Sequence, residues 1–173
     1  MAEVTDVPRR GVGRALELLA QAFAFAGGVV LVAMIAMSAA SIAGRATIGK
    51  PVTGDFELVQ LGCAVGIAAF LPWCQMRRGN IIVDFFTTGL PSRAQAALDA
   101  FGSLLLALVI SLVAWRTGIG AQTMKAAGEN LMISGIPAWI GYAAIVPSLW
   151  ATALAGYCTA WESWRTASGL GPR

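Results

Sequence analysis

Apolar and polar positions in this chain do not alternate with a strand or surface-helix period; they separate into long blocks. Leu18 to Gly44 is 27 residues without a formal charge, Leu58 to Met76 is 19, Ala100 to Trp115 is 16, and Glu129 to Glu162 encloses 32. A hydrocarbon core of ~30 Å takes about 20 helical residues at ~1.5 Å each. The blocks therefore predict four membrane-spanning helices, at roughly residues 16–43, 54–76, 93–116 and 136–161. Together they use most of the chain, so residues 1–173 read as one all-α membrane domain.

The segments between the blocks carry the local signals. A polar leader, residues 1–14, ends in Arg9, Arg10 and Arg14. It lacks the serine expected before a twin-arginine export pair, and the apolar run behind it exceeds the ~7–15 residues of a signal h-region. An uncleaved first span is expected. The first loop, Gly44 to Gly54, holds Arg45, Lys50 and Pro51. Thr53 is the expected N-cap of the second span, with Asp55 and Glu57 in a first turn where the helix dipole favours acids. That span ends at Arg77-Arg78-Gly79. Next come Ile81, Ile82, Val83, Phe85, Phe86 and Leu90, too short a run to cross and too apolar for a solvated loop. It reads as a short interfacial segment between the second and third spans, stopped by Pro91. Ser92-Arg93-Ala94-Gln95 has a capping-box pattern and opens the third span. The uncharged part of that span covers only about 24 Å, so Asp99 or Arg116 must snorkel or face other protein. A polar third loop, Gly118 to Gly135, carries Lys125 and Glu129.

Composition agrees and excludes several chemistries. The chain is 57% hydrophobic and 12% charged, with a mean hydropathy of +0.71; soluble domains carry about 25% charged residues. It has no histidine, which removes bis-histidine haem, histidine zinc sites and histidine-activated nucleophiles. Cys63, Cys74 and Cys158 form no CxxC and are odd in number, so they read as small packing residues. A net charge of +3 would suggest nucleic acid in a soluble protein. Here the basic residues flank spans, so no nucleic-acid partner is expected and membrane lipid is. Eight of them lie at the N-terminus (Arg9, Arg10, Arg14), the second loop (Arg77, Arg78, Arg93) and the C-terminus (Arg165, Arg173). Four lie in the first loop (Arg45, Lys50) and the third (Arg116, Lys125). The excess predicts cytoplasmic termini. Trp139 and Trp161, about 33 Å apart along a helix, then set one ring at each interface.

Candidate constellations are few. Gly62 and Gly66 permit close helix approach, within the chain or toward another subunit. Pro72 and Pro147 each remove a helix hydrogen bond and predict kinks rather than a substrate site. Arg45 faces Asp55 and Glu57 across the first hairpin, either as an Arg45–Glu57 pair or with each charge complementing its own helix dipole. Polar residues inside spans are sparse: Gln21, Ser38 and Ser41, then Gln60, then Ser148 and Thr152. None suggests ion coordination or a carboxylate clamp, so the helices read as built to pack rather than conduct.

These residues also carry a resemblance. Arg45 with Gly49-x-Pro51 and then Glu57 resembles the first loop and second-helix start of the small membrane subunit of TRAP transporters, the DctQ-type family. Arg77-Arg78-Gly79-Asn80-Ile81-Ile82-Val83-Asp84 is similar to that family's arginine-x-glycine-histidine-isoleucine-x-valine-aspartate signature, with Asn80 in place of the histidine. Asparagine keeps hydrogen bonding but cannot become a cation. Leu90-Pro91-Ser92-Arg93 continues the likeness, and Ile136-Pro137-Ala138-Trp139, Tyr142 and Pro147 resemble the start of the fourth helix. The resemblance spans roughly Arg45 to Pro147. It implies a scaffold subunit, not an enzyme, of an ATP-independent, sodium-coupled secondary transporter of the bacterial inner membrane. A periplasmic binding protein would deliver an organic acid to a large membrane subunit that holds the substrate and sodium sites. This chain, expected as a separate polypeptide, would need no cofactor of its own. Arg45, Glu57, Gly62, Gly66, Arg78, Gly79, Asn80, Asp84, Trp139 and Pro147 are then the candidate structural or subunit-interface residues. Arg78-Gly79-Asn80 and Asp84 are expected to fix the surface segment against the end of the second span.

Two other classes fit the pattern less well. A membrane anchor of a respiratory enzyme also favours four short-looped helices, but histidine-ligated haem is impossible here. A small intramembrane enzyme would have to use Glu57, Asp84, Asp99 or Glu129, which form no paired-carboxylate motif.

Overall fold

The computed structural model describes residues 12–50, 52–77 and 91–168. Pro51, Arg78, Gly79, Asn80, Asp84 and the expected interfacial segment lie outside the described residues. Each apolar block is helical: α1 (Val12–Thr47), α2 (Asp55–Met76), α3 (Ser92–Ala127) and α4 (Trp139–Ala167). All four are long and apolar enough to cross a membrane, and no strand occurs among the described residues. At ~1.5 Å per residue, α2 is about 33 Å long and just fills a bilayer core, whereas α1 and α3, at about 54 Å, exceed it.

Helix ends depart from the sequence reading in three places. Thr53 is not the N-cap of α2; Gly54 is, at φ 75°, with no side-chain cap. Its carbonyl accepts the Leu58 N–H at 3.0 Å, and a residue in this left-handed region is glycine's role. Ser92 does not cap α3; Pro91 precedes the helix, and its carbonyl accepts the N–H groups of Ala94 and Gln95 at 2.8 and 3.2 Å. Most consequentially, α3 does not stop near Arg116. It runs on to Ala127, absorbing the first part of the expected third loop. No proline interrupts Arg116 to Ala127, and the stop comes at Gly128, φ 66°, whose N–H reaches the Lys125 carbonyl in a glycine C-cap. Arg116 is thus a helix residue, not a loop residue.

The helices pack in the order α1–α2–α4–α3. α3 packs against α4 and makes at most marginal contact with α1 or α2. Burial follows this order: half of the most apolar stretch of α4 is buried, against 11% in α1 and 17% in α3. In α3 the buried residues Ala96, Ala100, Ala107 and Ala114 form one narrow strip, the 3–4 spacing of a helix with a single neighbour. The buried set is mostly alanine, while Phe25, Val32, Ile35, Phe101 and Leu112 are exposed. Lipid tails are as apolar as leucine, so helices associate here through close packing of small residues rather than by hiding large ones. Near one end α1, α2 and α4 meet in a cluster of Leu16, Ala20, Met76 and Ala155, flanked by Trp73 and Cys158. Cys63, Cys74 and Cys158 form no disulfide.

Candidate functional site

The α1–α2 seam is built from glycines. A Cβ on Gly27 would lie 2.9 Å from both the Ala69 Cβ and the Gly66 carbonyl oxygen. A Cβ on Gly66 would meet Leu31 at 2.8 Å, and one on Gly62 would run into the Met34 side chain. Gly62 and Gly66 therefore pack inside the chain, against α1. Gly27, their counterpart on α1, was not legible as such, because its neighbour Gly28 has the same sequence character but nothing within 4 Å.

Beyond this seam, the α1–α2 turn is tied by a buried hydroxyl. Ser41 on α1 donates to the Asp55 carboxylate at 2.5 Å and accepts the Val52 N–H at 3.3 Å. Asp55 also accepts its neighbour's Phe56 N–H at 2.7 Å. Arg45 exerts its charge on Asp55, and it forms no ion pair with Glu57. Glu57 is engaged elsewhere. Its carboxylate accepts the Ile133 N–H at 3.1 and 3.2 Å, the Ser134 N–H at 3.0 Å and the Ser134 hydroxyl at 2.9 Å.

Those donors sit in the turn between α3 and α4. Ala138 N–H donates to the Glu129 carbonyl, Leu131 to Ile136 and Gly135 to Leu131, with Gly135 at φ 68°. This closed turn leaves the amides of Ile133 and Ser134 without a turn partner, and backbone donors need one. Glu57 supplies it with a charged acceptor, the stronger kind of hydrogen bond. Gly54 completes the junction: a Cβ there would lie 2.8 Å from the Ser134 Cβ. Only glycine satisfies both the positive φ and this approach. Nothing local in the sequence marks Ser134 as the partner of Glu57, 77 positions away. Replacing Glu57 by alanine is expected to loosen the turn. Amide hydrogen exchange at Ile133 and Ser134 should speed up several-fold, while Glu57→Gln, which keeps an acceptor, should show a smaller rise. Unchanged exchange in Glu57→Ala would mean that water replaces the carboxylate at no cost.

α4 is the hub. Trp139 opens it and lies under the Lys125 ammonium, 5.0 Å from ring centre, a cation–π contact across the same end. Trp161 is exposed toward the opposite end. A Cβ on Gly141 would collide with Leu61 of α2. Gln75 of α2 donates to Thr159 of α4 at 3.1 Å, within buried surroundings. On the other flank, a Cβ on Gly156 would lie 2.9 Å from the Ala107 Cβ of α3, and the Ser111 and Tyr157 hydroxyls are 3.2 Å apart. Pro147 lies inside α4 and Pro72 inside α2. The neighbouring Ser148 and Thr152 hydroxyls turn back to their own helix, donating to the Ile145 and Ser148 carbonyls.

Among the described residues no group of histidine, cysteine or acidic side chains could hold a metal ion. The hydroxyls of Ser111, Ser148, Thr152 and Thr159 bond to carbonyls of their own helix, whereas the buried Ser163 hydroxyl of α4 has no partner among the described residues. Fold and site together define a multi-pass membrane protein in which a few polar contacts, Glu57 with the α3–α4 turn and Gln75 with Thr159, join one element to another. The chain belongs to the DctQ component family of the tripartite ATP-independent periplasmic transporters, which matches residues 34–166. That match makes it a component of a transporter and lends no support to a respiratory anchor. Comparison with curated proteins and with solved structures gives no match.

Proposed function

We propose that this protein is the small scaffold subunit of a sodium-coupled TRAP transporter that imports an organic acid. It would act with a large permease subunit and a periplasmic binding protein in a bacterial inner membrane. Membership of the DctQ family carries this reading. The bonding of the Ser111, Ser148, Thr152 and Thr159 hydroxyls to carbonyls of their own helix supports it, since a transport path needs polar groups facing a cavity. The chain then contributes a stationary body, its central helix α4 held on both flanks, while substrate and sodium sites lie in the large subunit.

The excess of basic residues, eight against four, supports cytoplasmic termini, so the Glu57–Ser134 junction faces the periplasm.

Proteoliposomes test both statements. The chain alone should move no organic acid. Uptake should appear only with the large subunit and the binding protein present and a sodium gradient imposed. Cysteines at positions 50 and 125 should label from outside intact cells, and one at position 78 should not. Uptake by this polypeptide alone would overturn the scaffold reading, and outside labelling at 78 would overturn the orientation.

A further inference from the structure

Five of the six tryptophans lie beside a formal charge, and Trp150 does not. Arg77 sits over the Trp73 ring and Lys125 over Trp139. Trp115, Trp161 and Trp164 adjoin Arg116, Glu162 and Arg165 in sequence. Indoles favour that company, because the ring is apolar while its N–H seeks a polar neighbour. Trp150 instead follows Trp139 by 11 positions and precedes Glu162 by 12, about 16.5 and 18 Å along the helix.

α4 itself fixes the depth of Trp150. Before Trp139 the backbone is a turn with Met132 and Ile133 exposed, and hydrocarbon does not admit lipid-exposed irregular backbone. After Trp161 comes Glu162, the first charge of the helix. A core of ~30 Å therefore falls between these limits, with Trp150 at its middle. The α2–α4 seam agrees. Gly141 meets Leu61 and Thr159 meets Gln75, both within the uncharged block from Leu58 to Met76. A core centred instead on the uncharged Ala100–Trp115 block of α3, whose Ala107 packs on Gly156, still leaves Trp150 only about 9 Å from the midplane.

The indole is also turned outward. Trp150 is 44% exposed and, among the described residues, makes no hydrogen bond. Pro147 is exposed one turn before it, and Leu154 one turn after it, on the same face. Pro147 has no N–H, so the Ala143 carbonyl four residues back loses its helix partner. Serine and threonine hydroxyls can replace that partner, but Ser148 donates to Ile145 and Thr152 to Ser148. One strip of α4 thus holds an unpaired donor, and an acceptor without its helix partner, inside the hydrocarbon. Acyl chains can meet neither, and a polar group left unmet there is costly.

We infer that this strip, formed by Ala143, Pro147, Trp150 and Leu154, docks a membrane helix of the large permease subunit that presents an amide side chain at mid-depth. This rests on the proposed function. An amide offers both a donor and an acceptor, whereas a helical serine or threonine tends to spend its donor on its own carbonyls, as Ser111 and Thr152 do. A second copy of this chain does not fit. Its exposed span amides, Gln21 and Gln60, lie near the ends of their uncharged blocks, away from the midplane.

The test uses the chain co-expressed with the large subunit and binding protein. A photo-crosslinking residue at Leu154 should join to the large subunit. Trp150→Phe, which keeps a ring and removes the N–H, should lower co-purification about threefold or more. Pro147→Ala, which returns an N–H to the Ala143 carbonyl, should lower it too, while the chain purified alone becomes no less stable. Crosslinks from Leu154 to lipid only or to a second copy, or normal co-purification of both variants, would overturn the inference and leave the scaffold function standing. Lower abundance of the Trp150→Phe chain expressed alone would also overturn it, by placing the role of the indole inside this subunit. Failure of the unsubstituted chain to co-purify with the large subunit would overturn both.

Discussion

Leucine at position 27 is expected to separate α1 from α2. The Gly27 Cα lies so near the facing helix that a bare Cβ would sit 2.9 Å from a backbone carbonyl, that of Gly66. Backbone cannot rotate aside as a side chain can, so the helices must move apart, and the Gly62–Met34 and Gly66–Leu31 contacts loosen with them. Overpacking of this kind costs roughly 1–3 kcal/mol, and more where backbone blocks relief. Gly28→Leu provides the control. With nothing within 4 Å, it should be neutral or gain up to about 1 kcal/mol of helix propensity. Reversible unfolding in detergent or bilayers, together with crosslinking of cysteines at positions 31 and 66, measures both. Equal behaviour of the two variants would show that α1 is not held by this seam.

Gly156→Leu is expected to release α3. A Cβ at Gly156 would meet the Ala107 Cβ at 2.9 Å and its Cα at 3.3 Å, in the middle of the only substantial packing that α3 makes among the described residues. A helix in the interior of a bundle would be held by its other neighbours. Among the described residues α3 has no other substantial neighbour, so the expected loss is large and local. Crosslinking between cysteines at 111 and 157 should fall about tenfold or more, while a pair at 61 and 141 across the α2–α4 seam should be little changed. Loss of both crosslinks together would mean that the four helices form one cooperative unit. Preservation of both would mean that the α3–α4 seam tolerates a gap.

The order α1–α2–α4–α3 gives these two substitutions separable consequences. It also explains why an isolated subunit exposes so many large apolar side chains. Each end helix buries one strip and leaves the rest of its surface to lipid or to another protein.

Much of this architecture was legible along the chain because a bilayer imposes a simple rule. Backbone groups must be satisfied within the segment, so every long uncharged block becomes a helix. The four helical spans follow from that rule, and Asp55 and Glu57 fall in the first turn of α2 as the dipole argument expects. The DctQ resemblance was equally readable, since it rests on short ordered motifs. Helix ends were less legible where the signal was chemical rather than hydrophobic. Lys125, Gln122 and Thr123 made the end of α3 look like a solvated loop, yet polar residues are good enough helix formers when no proline intervenes.

Partnership was decided by tertiary structure alone. Glycines 27 and 28 are neighbours of identical type, and only one faces α2. Arg45 and Glu57 carry opposite charges across a short hairpin, yet the carboxylate is taken by two amides and a hydroxyl from a turn far along the chain. In each case the residue type states what chemistry is available, through size, charge or hydrogen bonding. Helix rotation and axial register determine which neighbour receives it, and both are set by contacts between segments that no local pattern encodes.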